Sequence, residues 1–222
     1  MLRSAIFLSL LCLLLLNGCK SNKQSSHTDT VKTTADNSLT VSTANQDSIQ
    51  LTLLVRKLYK WHVTDTMKHD GFKPTKSNPK DTLYTGIDLA ENEKAVEELK
   101  ETGIFADSFL NDYRKIAVRM DKELKDGSSL WPDGELSTFG DDVDDWCDCQ
   151  DTPVNDYWKI IKLKDIKINN NEASFKWNWG DDLNFKVRAV KDNGNWKISY
   201  LQGFDMNSYS WEWWKNNKGK AN

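Results

Sequence analysis

The stretch Asp141-Asp142-Val143-Asp144-Asp145-Trp146-Cys147-Asp148-Cys149-Gln150-Asp151 places six aspartates and two cysteines in eleven residues. That many carboxylates could hold a hard cation such as calcium, which takes six to eight oxygen ligands. Asp144, Asp145, Asp148 and Asp151 are the candidate ligands. The alternating D-x-[DN]-x-[DN]-G order of a calcium loop is absent, however, and a solvated acidic loop that caps helix ends or pairs with lysine is the simpler expectation. Neither a resident metal nor a cofactor is therefore expected. Cys147-x-Cys149 fits three arrangements: a tight disulfide, two thiols, or half of a metal site. Extended residues two apart hold their Cα atoms about 6.5 to 7 Å apart, near the outer limit for a disulfide, so a bond requires a bend at Asp148. Zinc would need two more ligands, and neither another nearby cysteine nor a paired histidine supplies them. The C-x-x-C spacing of redox catalysts is not present.

Other reactive side chains are scattered. No G-x-S-x-G, H-E-x-x-H, phosphate-loop or dinucleotide-binding pattern occurs, which leaves Asp112, Tyr113 and Asp205 as unspecific candidates for a pocket acid or base. A non-catalytic protein is the expectation. Tryptophan is abundant, at ten residues. Trp177, Trp179 and Trp196 fall on the apolar phase of alternating segments, whereas Trp211, Trp213 and Trp214 lie beyond the last of them. Two roles fit that final trio: a cover over the open end of the domain, or a docking patch of the kind in which tryptophan is enriched.

These groups must be positioned by a chain that begins with an address. Arg3 is followed by a strongly apolar run from Ala5 to Leu16, which reads as a secretory signal peptide. Twelve helical residues reach about 18 Å, too short to cross a bilayer. Leu16-Asn17-Gly18-Cys19 resembles the lipobox of bacterial lipoproteins. The resemblance implies cleavage after Gly18 and lipid on Cys19; Asn17 departs from the small residue usual there. Acyl chains contribute about 0.8 kcal/mol per buried methylene, so several of them would hold the protein on a membrane. Lys20, where an aspartate would imply inner-membrane retention, implies the outer membrane with the domain facing the periplasm.

Lys and Arg number 30 against 33 Asp and Glu, a formal charge of −3, which argues against nucleic acid and against a general grip on anionic lipid. Residues 19–46 are dominated by small polar side chains and read as a disordered tether, spanning roughly 30 Å as a random coil. The folded domain is expected over 47–205, with an aromatic tail over 206–222. A first helix capped by Asp47 carries Leu51, Leu54, Val55, Leu58 and Trp61 at helical spacing. Residues 64–88 read as irregular. A charged helix from Glu91 to Thr102 ends at Gly103, and a third runs from a cap at Asp107 or Ser108 through Phe109, Tyr113, Ile116, Ala117, Met120 and Leu124 to Gly127. The period then changes to two. A strand is expected over Tyr157–Ile168 with a bulge near Asp165, followed by strands carrying Ala173-x-Phe175-x-Trp177-x-Trp179 and Leu183-x-Phe185-x-Val187-x-Ala189. A hairpin at Asp192-Asn193-Gly194 leads to Trp196, Ile198 and Tyr200. Three helices followed by about four antiparallel strands make an α+β fold, with helices packed on a curved sheet.

This order, with Ile49–Trp61, Phe105–Tyr113, Asp144–Asp151 and Gly194–Phe204 as the segments that carry the likeness, resembles the cystatin-like cone of nuclear-transport-factor-like domains. Within that group it is similar to small bacterial lipoproteins classed as a domain of unknown function. Trp146-Cys147 departs from the Pro-Phe that related sequences tend to carry there. The resemblance implies a fold and a location but no reaction. The expected function is a lipid-anchored, envelope-facing binding module for a protein or a small apolar ligand. An inhibitor or immunity-type protein is the alternative, and an enzyme using the pocket the third.

Overall fold

The computed structural model describes residues 35–65, 67–134, 143–180 and 182–205, with side chains from residue 45 onward. It is α+β: helices α1 (Ala35–Thr64), α2 (Leu89–Glu101) and α3 (Asp107–Lys125), a small sheet of β1 (Pro74–Thr75) and β2 (Gly86–Ile87), and an open antiparallel sheet. That sheet consists of β3 (Lys162–Asn169), β4 (Glu172–Asn178), β5 (Phe185–Asp192) and β6 (Asn195–Leu201), paired in chain order. Among the described residues no helix is long and apolar enough to cross a membrane.

Helix α1 begins at Ala35, not at an Asp47 cap. No glycine or proline interrupts residues 35–46, and their modest helix propensities are additive rather than forbidding. Inside the helix, Asp47 does other work. Its Oδ1 accepts from Lys191 Nζ at 2.6 Å and from Trp196 Nε1 at 2.9 Å, tying α1 to the β5–β6 hairpin. The Lys191 bond, helped by Trp196, holds its carboxyl below the usual range despite the opposing effect of desolvation. Leu51, Leu54, Val55, Leu58 and Tyr59 form the buried face, and Trp61 is half-buried beside it.

Helix α2 is capped by Asp88, whose side chain accepts from Glu91 N, and the chain leaves it through Gly103 at φ 64°. The N-cap of α3 is Ala106, not Asp107 or Ser108, and it has no side-chain cap bond. The reason lies upstream: Ile198 N donates to Ile104 O and Ala106 N donates to Ile198 O, so the edge of β6 fixes where the chain turns into the helix. The expected stripe on α3 is buried, joined by Leu110 and by Asp121, which accepts from Ile87 N and Lys125 Nζ.

Residues 157–159 form a 3-10 turn, and β3 starts only at Lys162. Lys159 N donates to Asp156 O and Ile160 N to Tyr157 O, so the backbone bonds here are spent within a local turn and not on a strand partner. The bulge at Asp165 is present, with φ 53° and a register shift between Lys164 and Lys167. A second shift, between Arg188 and Ala189, lies opposite β6. Asn193 and Gly194 both take positive φ, as a two-residue hairpin turn needs. At the end of β4 the alternation fails. Asn178 is buried, bonded to Asn184 and to Gly180 N, while Trp179 is only half-buried.

The helices cover one face of the sheet. Trp177, fully buried, lies 4.4 Å from the Tyr59 ring and stacks on Phe185 at 4.5 Å. A second aromatic group joins Trp61, Phe105, Phe109 and Phe204 around Trp146. The inward face is thus filled by side chains.

Candidate functional site

Cys147 and Cys149 form a disulfide, with Cα atoms 5.1 Å apart. The bend that closes it is at Asp148, whose φ of 51° is left-handed. Both cysteines are buried. Asp144 organises the loop around them: its carbonyl accepts from Cys147 N and Asp148 N, its N–H donates to Cys149 O, and its Oδ1 accepts from Trp146 N at 2.9 Å. Its other carboxylate oxygen lies 2.7 Å from His62 Nε2 at the end of α1. Burial opposes the charge on Asp144, but the His62 bond, the His62 charge and the Trp146 N–H together hold its carboxyl below the usual range.

Three of the four candidate ligands, Asp144, Asp145 and Asp148, are thus engaged within the protein. Asp148 accepts from Gln202 Nε2 at 2.7 Å, Asp145 is likewise partnered, and Asp151 is exposed. Among the described residues no group of three or more His, Cys, Asp or Glu is placed to hold a metal ion. Asp112 is an exposed residue bonded to Lys115, and Asp205 accepts from the Tyr200 hydroxyl at 2.9 Å. Tyr113 is buried among Phe72, Phe109 and Phe204, and burial pushes its hydroxyl far above the ordinary range. None of the three adjoins the others' polar atoms by hydrogen bond. His62 is oriented by Asp144 as a catalytic base would be, but among the described residues no hydroxyl or thiol is hydrogen-bonded to it, and its ring packs 5.6 Å from that of Trp146. Gly18, Cys19, Trp211, Trp213 and Trp214 lie outside the described residues.

The other face of the sheet carries a feature that the overall charge conceals. Strand register places Lys164, Lys176 and Lys186 directly opposite one another on β3, β4 and β5. The next rung runs Lys167, Ser174, Arg188, Tyr200 across all four strands. Neighbouring strands are about 4.8 Å apart, and like charges facing each other at that spacing are unfavourable. One carboxylate lies among them. Asp165 Oδ2 is 2.9 Å from Lys176 Nζ, and its carboxyl is held below the usual range by that bond first, then by the charges of Lys176, Lys167 and Lys164. No carboxylate among the described residues forms an ion pair with Lys164, Lys167 or Lys186. Arg188 lies over the Tyr200 ring at 4.3 Å, and burial together with the Asp205 bond pushes the Tyr200 hydroxyl up to about 12. Asp165, Lys167, Lys176, Lys186, Arg188 and Tyr200 line an open hollow of about 580 Å³.

This cationic face is legible in the alternation once the polar phase is read as closely as the apolar one. In Phe185-Lys186-Val187-Arg188-Ala189 every outward side chain of the first two turns of pleat is basic. Compared with protein-family models, curated proteins and solved structures, the chain shows no match.

Proposed function

We propose that this chain is a lipid-anchored, non-catalytic docking module of the bacterial cell envelope, held on a membrane through Cys19. Its contact with a partner is made by the open face of the four-stranded sheet rather than by a ligand enclosed beneath the helices. One observation carries that choice: the two faces of the same sheet differ completely. The inward face is filled by Trp177, Phe185, Tyr59 and their neighbours, and the outward face presents Lys164, Lys167, Lys176, Lys186 and Arg188 to solvent. The apolar run that leads into Leu16-Asn17-Gly18-Cys19, which resembles a lipobox, supports the location.

Two measurements test the reading. Cys19→Ala should abolish lipid labelling and release the chain from membranes; undiminished sedimentation with membranes would remove the anchor. Amine acetylation of the intact protein in native membranes should spare Lys176 and Lys186 relative to the detergent-extracted protein. Equal modification in both states would remove the sheet face as the docking surface.

A further inference from the structure

The structure assigns the cationic sheet face to the surface of an anionic phospholipid bilayer, the membrane to which the chain is tied. This inference rests on the proposed docking role of that face and names its partner. Several observations support it. The cations are spread over β3, β4 and β5 as two rungs, and the hollow they line is open rather than enclosed, which suits an extended layer of charge better than one small anion. Four of the five are lysines, compact charges on flexible stems that do not demand a fixed partner geometry. The backbone groups of the strands are engaged in the sheet, so side-chain charge is the main means of recognition left on this face.

The lack of exposed apolar anchors separates a bilayer from an acidic protein. Protein interfaces are dominated by aromatic or large apolar anchors seated near their centre. The one aromatic side chain on the two cationic rungs, Tyr200, is half-buried beneath Arg188, and the exposed large apolar side chains of the described residues, Leu83, Val118, Ile160 and Leu183 among them, lie off the rungs. Polarity adds to this. Helix α2, which packs on α3, carries Glu91, Glu93, Glu97, Glu98 and Glu101 against two lysines. The field of the molecule therefore favours one orientation, sheet face towards the anionic surface and α2 away from it. Headgroup phosphates would also relieve the repulsion along the Lys164–Lys176–Lys186 rung.

The test uses the lipid-free chain from Lys20 onward, which keeps every described residue, in flotation with vesicles of phosphatidylcholine alone or mixed with phosphatidylglycerol. Binding is expected only to the mixed vesicles and should disappear at high salt. Each basic side chain near an anionic surface is worth roughly a fivefold change in partitioning, so Lys176→Gln, Lys186→Gln and Arg188→Gln together should weaken binding roughly a hundredfold. Lys176→Arg with Lys186→Arg should retain it, and thermal melting of both variants verifies that they are folded. Equal flotation with neutral vesicles, or undiminished flotation of the triple Gln variant, overturns the inference. Binding to soluble polyphosphate or to an acidic protein without binding to vesicles does so too. Because the assay omits the anchor, its failure leaves the Cys19 and amine-protection results standing. Vesicle binding without protection of Lys176 and Lys186 in native membranes would instead remove the docking reading itself.

Discussion

His62 and Asp144, 82 residues apart in the chain, meet with Nε2 and Oδ2 separated by 2.7 Å. The contact joins the last turn of α1 to the loop that holds the disulfide. Tyr59, one turn earlier, adds a bond from its hydroxyl to Trp146 O at 2.8 Å. Two side chains on one helix thus fix the loop that carries Trp146 into the aromatic cluster.

The charge on Asp144 should make stability sensitive to acid. Its carboxyl is held below the range of the unfolded chain, where an aspartate titrates near 4. Its contribution is fully present above that pH and is lost as pH falls through the lower folded value. Asp144 is 41% exposed, so solvent screening keeps the effect below about 1 kcal/mol. Asp144→Asn, which keeps an oxygen for Trp146 N, should flatten the acid limb of a denaturation series between pH 5 and pH 2 by that amount.

Reducing the Cys147–Cys149 bond should cost about 1 to 2 kcal/mol, because a three-residue ring removes little entropy from the unfolded chain. The melting transition should fall by a few degrees in reductant, and Cys147→Ala with Cys149→Ala should melt identically with and without it. Both cysteines are buried, so after reduction thiol labelling of the still-folded protein should be slow until it opens.

Trp177→Ala should cost about 3 to 5 kcal/mol in denaturant unfolding, as expected for a large side chain removed from a sealed core. Trp177→Phe should cost markedly less. The indole N–H lies by the Tyr59 hydroxyl without a hydrogen bond of good geometry, so its loss leaves no acceptor stranded. Equal losses for the two variants would show that the indole N–H matters more than ring volume.

Gly203→Ala should destabilise by about 1 to 3 kcal/mol, the usual cost of forcing atoms into filled space. A methyl group there would land on the carbonyl oxygen of Asp145, a backbone atom of the disulfide loop that cannot swing aside. Thermal melting against the parent chain measures it.

Much of the architecture is legible in the residue pattern because burial imposes period on it. The stripe from Phe109 to Leu124 and the alternation from Ala173 to Trp177 each repeat the geometry of their element. Even the bulge at Asp165 shows, as a change of phase between Leu163 and Ile166. Features set by distant partners do not show. The start of α3 depends on Ile198, and the shift at Arg188 needs β6 beside it. The turn at Tyr157 does not show either, because burial of both Tyr157 and Ile161 suits a strand as well as a helical turn. The cationic face escaped for another reason: a formal charge of −3 averages over α2 and the sheet, which have opposite signs.

The sheet is open, so it has two borders, and they are treated differently. The β6 border is occupied by Ile104 and Ala106, which take both hydrogen bonds of Ile198. No strand among the described residues occupies the β3 border, and its run is broken at Asp165 and studded with Lys162, Lys164 and Lys167. Strand edges that are kinked and charged resist adding a strand from a neighbouring molecule. If the chain is held on a membrane as proposed, neighbours crowded on that two-dimensional surface would meet far more often than in solution, and a kinked, charged border would disfavour strand addition between them.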